Sequence, residues 1–409
     1  MRHRQLAVTF AVSSANLVGA LVLGIVTARA MSVPDRGVLL GTVLWSSFIA
    51  FTSVAGLDDA IIAFGEGQGA TANSVRLVSR GRARQFVILG SLVIIPADGI
   101  ILRSTKMPIV VAVMVCSILV IGATSYSLRR VAVIRSAGLI GSWNIVRLVP
   151  TTSYAFGVIV SAAVGRLTIL TGIASFAMGG LLTCLVANLV KVPDPSPEIV
   201  SSLQTRQRPI NRYGAGVMFS KLPEFANLRL DQIVLSVFLP LRELSLYATA
   251  VSLSSVLLIV GASIQLYLFP ILASVGETER RKSTIKWLVL AIAFSLAGAL
   301  TLGAMAPVLL RVVYGPGYSS SLASSRILLA GAVALTGLAV VSAYLKASRR
   351  VAVLVRTQLL GFVATIVLLP VMLAALGIEG AAIASTVAYF VTFSVAMWQS
   401  QLVDGKGSN

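Results

Sequence analysis

The sequence is poor in the residues that carry most enzymatic and metal chemistry. It has one histidine, His3, two cysteines, Cys116 and Cys184, and 14 acidic residues among 409. No CxxC or metal-ligand spacing is present, and both cysteines lie inside apolar blocks. That argues against a metal centre or a disulfide framework. No catalytic group, metal or cofactor is expected. Charge is scarce as well. Charged residues make up 11% of the chain, against about 25% in a soluble domain. The 33 Lys and Arg give a net charge of +19. A nucleic-acid partner would need that charge clustered on a solvated domain. Here it is dispersed through short connections, so it reads as topology and no nucleic acid is expected.

What the chain has is long apolar runs. Residues 6–28, 37–57, 107–128 and 167–190 contain no Asp, Glu, Lys or Arg. Crossing the hydrocarbon core takes about 20 apolar residues. Backbone amides there must pair within a helix or a closed barrel, and barrel strands are about half this length. The first run follows Arg2 and Arg4, and Ala28-Arg29-Ala30 resembles a cleavage site. The run exceeds the roughly 7–15 residues of a signal core, so it reads as a retained span. Further spans are expected at 85–102, 136–164, 213–239, within 244–275, and at 287–310, 327–345, 357–376 and 380–402. The fold class is therefore an all-α polytopic membrane protein with about 12 transmembrane helices.

Lys and Arg set the sides. Basic clusters at Arg76–Arg84, Arg129–Arg135, Lys191–Arg212, Arg280–Lys286 and Lys346–Arg356 fall in alternate connections. The opposite connections carry only one or two basic residues each. The pattern predicts both termini in the cytoplasm of a multi-pass protein. The connection 191–212 opens with Lys191-Val192-Pro193-Asp194-Pro195-Ser196-Pro197, a linker-like composition. It divides the chain into an N-terminal six-helix lobe (1–190) and a C-terminal lobe with a short tail (213–409). Segments 129–141 and 349–361, RRVAVIRSAGLIG and RRVAVLVRTQLLG, share seven of thirteen positions. Each lies between the fourth and fifth spans of its half. They are either an internal repeat or a chance match. A parallel repeat of six spans implies lobes related by a pseudo-two-fold along the membrane normal, with the substrate path between them.

Ionisable groups inside spans are the candidate functional residues, since each costs roughly 2.5–3.5 kcal/mol at mid-bilayer on insertion scales. The seventh span has four: Lys221, Glu224, Arg229 and Asp231. Projected as one continuous helix at about 100° per residue, they share about half the circumference with Asn227 and Gln232. They read as a cavity wall or as structural ion pairs, with Lys221 and Glu224 spaced to pair at i and i+3. Arg147 stands alone in the fifth span near Pro150. Its guanidinium suits bidentate phosphate binding, and snorkelling is the alternative. Asp98, beside Pro96, is a proton or sodium site or a helix end. Asp58 and Asp59 read as a solvated helix end.

Several motifs resemble those of a known family. Asp231 is followed by Phe238-Leu239-Pro240, by Leu246-Tyr247-Ala248-Thr249-Ala250 and by Pro270. Pro34-Asp35-Arg36-Gly37 opens the second span, and 310–315 with Tyr318 follows the ninth. Over essentially its whole length the chain resembles the polysaccharide flippase branch of the multidrug/oligosaccharidyl-lipid/polysaccharide exporter superfamily. Ser245 stands where that family has Gly. The resemblance implies two six-helix lobes, alternating access, a cationic cavity and an undecaprenyl-diphosphate-linked oligosaccharide as substrate, flipped across the bacterial inner membrane for surface polysaccharide synthesis. Arg147, Lys221 and Arg229 are the expected substrate-binding residues. Glu224, Asp231 and Asp98 are the expected coupling or cavity-tuning residues, with H+ or Na+ as the ion. The chain is not expected to be an enzyme. Other readings are a cation-coupled multidrug or small-solute antiporter of the same superfamily, and a non-transport membrane component of polysaccharide assembly.

Overall fold

The computed structural model describes residues 2–65, 68–103, 105–195, 197–204 and 207–402, with the side chains of 2–7, Phe10, Ser220 and Glu224 outside that description. The described residues form helices and turns, with no strand among them. In order they are α1 (Arg2–Ala30), α2 (Val33–Val54), α3 (Leu57–Phe64), α4 (Gly69–Val78), α5 (Arg80–Ile101), α6 (Met107–Ser136), α7 (Ile140–Ala163), α8 (Ile169–Leu189), α9 (Pro197–Gln204), α10 (Gln207–Asn227), α11 (Leu230–Phe238), α12 (Leu241–Ser274), α13 (Glu277–Leu309), α14 (Leu322–Ala347) and α15 (Val351–Ser400). A π-helical turn (Leu310–Tyr314) and a 3₁₀ turn (Pro316–Ser321) join α13 to α14.

Ten helices among the described residues are long and apolar enough to cross a bilayer. One of them, α15, has 50 residues, about 75 Å at 1.5 Å per residue. That is more than twice the roughly 30 Å hydrocarbon core. It breaks at Gly377, with φ 57° and ψ −133°, a conformation open only to glycine. The break separates the two spans expected at 357–376 and 380–402. The interrupted pair α10–α11 occupies the expected seventh span. Counted this way the described residues make twelve spans, and the chain is an all-α polytopic membrane protein. Large apolar side chains such as Leu92, Phe156, Phe294, Leu300 and Val367 lie exposed on helix faces. In a bilayer these faces meet lipid instead of water.

Local chemistry sets the helix ends. Ser32 caps α2 by accepting from the Asp35 amide at 3.2 Å, with Pro34 in the first turn, where its missing N–H costs nothing. Thr168 and Thr171 close a reciprocal capping box on α8. Between α2 and α3, Ala55 and Gly56 are both left-handed, with φ 53° and 65°. This bend turns α3 away from the axis of α2 within one membrane-crossing segment, Val33–Phe64.

The chain packs as two compact units, Met1–Leu222 and Pro223–Asn409. In the first, Leu39, Val113 and Ile173 knit α2, α6 and α8. A second cluster gathers Ile61, Val75, Val133, Leu203 and Ile210. That cluster shows why the unit extends to Leu222. The 191–212 connection has a linker's composition, but α9 and the start of α10 are docked against α3, α4 and α6. Asn73 Nδ2 donates to the Pro193 carbonyl at 3.1 Å, and Gln207 Nε2 donates to the Val78 carbonyl at 3.1 Å. Tyr213 meets Phe64 edge-on at 5.5 Å. In the second unit, Leu272, Leu288, Val341, Leu345 and Ala396 join α12, α13, α14 and α15.

Segments 129–141 and 349–361 do not share local structure. The first follows the last turns of α6 and passes through the turn at Gly138 (φ 74°) into α7. The second begins in the turn at Arg349 (φ 57°) and continues up α15. The turns follow Ser136 and Ser348, so matching them puts the sequence match out of register. Their likeness is one of sequence only.

Candidate functional site

Arg147 lies two turns into α7, about 10 Å along its axis. It belongs to a polar seam with α1 that sequence reading missed. Thr9, Ser13 and Asn16, at i, i+4 and i+7, put hydroxyls and an amide on one face of α1. Asn144 Nδ2 donates to Thr9 Oγ1 at 3.1 Å, and Arg147 Nη2 donates to Ser13 Oγ at 3.4 Å. Asn16 Nδ2 donates to the Arg147 carbonyl at 3.3 Å. The helices approach closely beyond this point, where a Cβ on Gly19 would come within 2.8 Å of Thr151. The guanidinium lies 4.5 Å from the centroid of the Trp143 ring, within cation–π range.

Arg147 is therefore half-buried, with contacts to α1 and to Trp143. Among the described residues it has no carboxylate in ion-pair range. A guanidinium has five N–H donors in a fixed fork, and here one of them meets a protein acceptor. The remainder have no acceptor among the described residues.

The seventh span is not one continuous helix. The projection assumed a continuous helix, but α10 ends at Asn227 and α11 starts at Leu230. The turn between them closes with short-range bonds from the Leu228 and Arg229 amides to the Phe225 and Ala226 carbonyls. The break rotates α11 relative to α10. Arg229 is exposed at the start of α11, whereas Asp231, two residues on, is 2% exposed.

Lys221 pairs with Asp59 of α3, both partly exposed. The sequence had offered Glu224 as its partner, and the Glu224 side chain lies outside the described residues. Asp59 had read as a solvated helix end. The bend at Ala55–Gly56 brings it against α10 instead. A partly exposed pair of this kind is worth about 0.2–1 kcal/mol, but it partly neutralises the ammonium.

Asp231 anchors a buried network in the second unit. Tyr247 Oη and Ser385 Oγ donate to its Oδ2 at 2.5 and 2.9 Å, and the Gln232 amide donates to Oδ1 at 2.7 Å. The network ties α11 to α12 and to the second limb of α15. Tyr247 was legible as a family motif, but its role as a donor to Asp231 was not.

Asp98 is fully buried within α5, one turn from its end, and faces Ser117 of α6. Neither its carboxyl oxygens nor the Ser117 hydroxyl has a hydrogen bond of ordinary geometry. Arg147, Lys221 and Asp98 thus lie in the first unit, and Arg229 and Asp231 in the second. No hydrogen bond or ion pair joins Arg147 to Lys221 among the described residues.

Twelve spans, a basic polar seam and buried carboxyls define a polytopic α-helical membrane protein with the fold of known exporters. A lipid II flippase MurJ in an inward closed conformation matches with a TM-score of 0.76 at 12% identity, over 96% of this chain and 87% of that one. An inward-facing multidrug resistance MATE family transporter of the MOP superfamily matches at 0.68 and 12% identity, over 94% of each chain. A MATE transporter of Vibrio cholerae, VcmN, matches at 0.60 and 14% identity, over 97% and 96%. No family model and no curated protein sequence matches the chain.

Proposed function

We propose that the chain is an alternating-access transporter of the polysaccharide flippase branch, moving undecaprenyl-diphosphate-linked oligosaccharides across the bacterial inner membrane. The observation that carries this is Arg147: a half-buried guanidinium with no carboxylate in ion-pair range and one bonded donor among the described residues. A diphosphate supplies the paired oxyanions such a fork binds bidentately. Arg147 is the principal substrate contact. Lys221, already paired, and Arg229, exposed, are further cationic candidates for substrate contact. Asp98 and Asp231 are the coupling candidates for H+ or Na+. Lipid surrounds the exposed apolar faces. No catalytic role is proposed for any residue.

The test is flipping of a fluorescent undecaprenyl-diphosphate-linked sugar by purified protein in proteoliposomes. Arg147→Lys keeps the charge but loses the fork, and is expected to slow flipping about tenfold, equivalent to one charge-assisted hydrogen bond. Arg147→Ala should abolish it with the protein still in the membrane. If Arg147→Ala and Lys221→Ala, normally inserted, flip at the native rate, the cationic-site reading is wrong. If the wild type moves cationic drugs but no lipid-linked sugar, the antiporter reading takes its place.

The proposed topology puts both termini and the 191–212 connection in the cytoplasm, because basic residues concentrate on that side. A cysteine introduced by Asp194→Cys is expected to react with an impermeant maleimide only after the cells are opened. Labelling in intact cells would invert the arrangement.

A further inference from the structure

The C-terminal unit contains a polar recess that the transport reading leaves unused. Its volume is about 170 Å³, and α12, α14, both limbs of α15 and the end of α10 enclose it. Leu335, Leu338, Ser342 and Lys346 recur at helical spacing, so one face of α14 forms a wall. Leucines from α12 and α15 supply much of the rest. Polar groups gather opposite: Asn227, Gln265, Gln358 and Tyr389.

Asn227 is a fixed polar group in the wall of the recess. It is 6% exposed. Its Nδ2 donates to the carbonyl and to Oε1 of Gln358, at 3.0 and 3.1 Å. Those bonds fix the amide orientation and leave Asn227 Oδ1 as a buried acceptor without a partner. That atom is closed off from solvent, so the recess presents its other polar groups to a ligand. The Ser342 hydroxyl and the Gln265 amide line the same space and make no hydrogen bond among the described residues. Lys346 is exposed where the recess reaches the surface, and no carboxylate pairs with it among the described residues.

This is a set of amide and hydroxyl groups against apolar walls, with a cation at the mouth. A sugar ring fits that chemistry, with hydroxyls on its edge and C–H groups on its faces. Drug-sized pockets run to about 300–1,000 Å³, so this one takes a single ring and not an oligosaccharide. We propose that the recess binds one hexose carrying a phosphate, with the ring among Asn227, Gln265, Ser342 and Gln358 and the phosphate at Lys346. The inference rests on the lipid-linked sugar reading only for where the sugar comes from.

The test is direct binding to the full-length protein in nanodiscs, read by calorimetry. The probes are gluco-, galacto-, manno- and N-acetylglucosamine 1-phosphates, the corresponding methyl glycosides, and inorganic phosphate. At least one hexose phosphate is expected to bind more tightly than inorganic phosphate. Ser342→Phe fills the recess and should abolish that binding. Lys346→Gln, at an exposed position that leaves packing intact, should weaken the hexose phosphate about fivefold and leave its methyl glycoside unchanged. The proposal falls if no hexose phosphate in the panel binds, or if both variants bind as the wild type does. It falls equally if inorganic phosphate matches the sugar phosphates and is insensitive to Ser342→Phe, which would reduce Lys346 to a surface anion contact. The flipping assay on the same preparations separates the two readings. A wild type that binds hexose phosphate but flips no lipid-linked sugar overturns the transport reading and supports this one.

Discussion

Asp231→Ala is expected to destabilise the protein by about 2–5 kcal/mol, the largest loss among the buried polar positions. Its carboxyl accepts from Tyr247 and Ser385, both themselves buried. Removing the acceptor strands two hydroxyls away from water, and each stranded group costs about 1–3 kcal/mol. The apolar surroundings offer no replacement. The two hydroxyls lie 3.5 Å apart, at the limit of a hydrogen bond, so re-pairing them recovers little. Unfolding of the full chain in detergent, followed by heat or denaturant, measures the effect. Adding Tyr247→Phe and Ser385→Ala to Asp231→Ala removes the stranded groups, and the triple variant should recover part of the loss. A drop below about 1 kcal/mol for Asp231→Ala would mean the carboxyl is dispensable for packing and held for transport alone.

Gly56→Ala should be nearly as damaging, for a different reason. Gly56 has φ 65°, and a Cβ there would run into the backbone of Gly214. The left-handed conformation costs a non-glycine residue about 1–2 kcal/mol, and forcing extra volume into packed structure costs about 1–3 more. Two other glycines separate these terms. Gly165 has φ 68° and open space around its missing Cβ, so Gly165→Ala carries the conformational cost without the clash. Gly214 has ordinary φ, and its Cβ would sit 3.1 Å from the Ala55 carbonyl oxygen, a tight fit without strain. The expected order of damage is Gly56→Ala well ahead of both others, read from thermal midpoints and from the yield of protein in the membrane. Equal midpoints for Gly56→Ala and Gly165→Ala would show that α3 and α10 separate freely here.

The spans were legible because the bilayer sets a hard rule: about 20 apolar residues, with charge confined to the ends. Even the two halves of α15 could be told apart from 376 to 380. The breaks were harder. Hydrophobicity does not register that Asn227-Leu228-Arg229 turns, so a straight projection carried one polar half-circumference through the break. Arg147 stood out by its charge alone. Its partners did not, because a Ser, a Thr or an Asn in a long apolar helix is ordinary singly. Only the spacing of Thr9, Ser13 and Asn16 carried the signal. Asp59 was passed over because a carboxylate near a helix end reads as solvated, and its partner lies 162 positions away. Likewise 191–212 has a linker's composition, and nothing local in it marks the docking of α9 and α10.

The end of the first unit at Leu222 has a consequence for how this chain can be rearranged. Counted by spans, α10 opens the second half; counted by packing, most of it completes the first. It is an arm that follows the midpoint in sequence and packs with what precedes it. A recombination event cutting at 191–212 would therefore not exchange self-sufficient modules. Each hybrid would meet the bend at Gly56 with an arm from the wrong parent, and Asp59 with a foreign residue in place of Lys221. A seam that history could cross without penalty would have to follow Leu222, inside a helix.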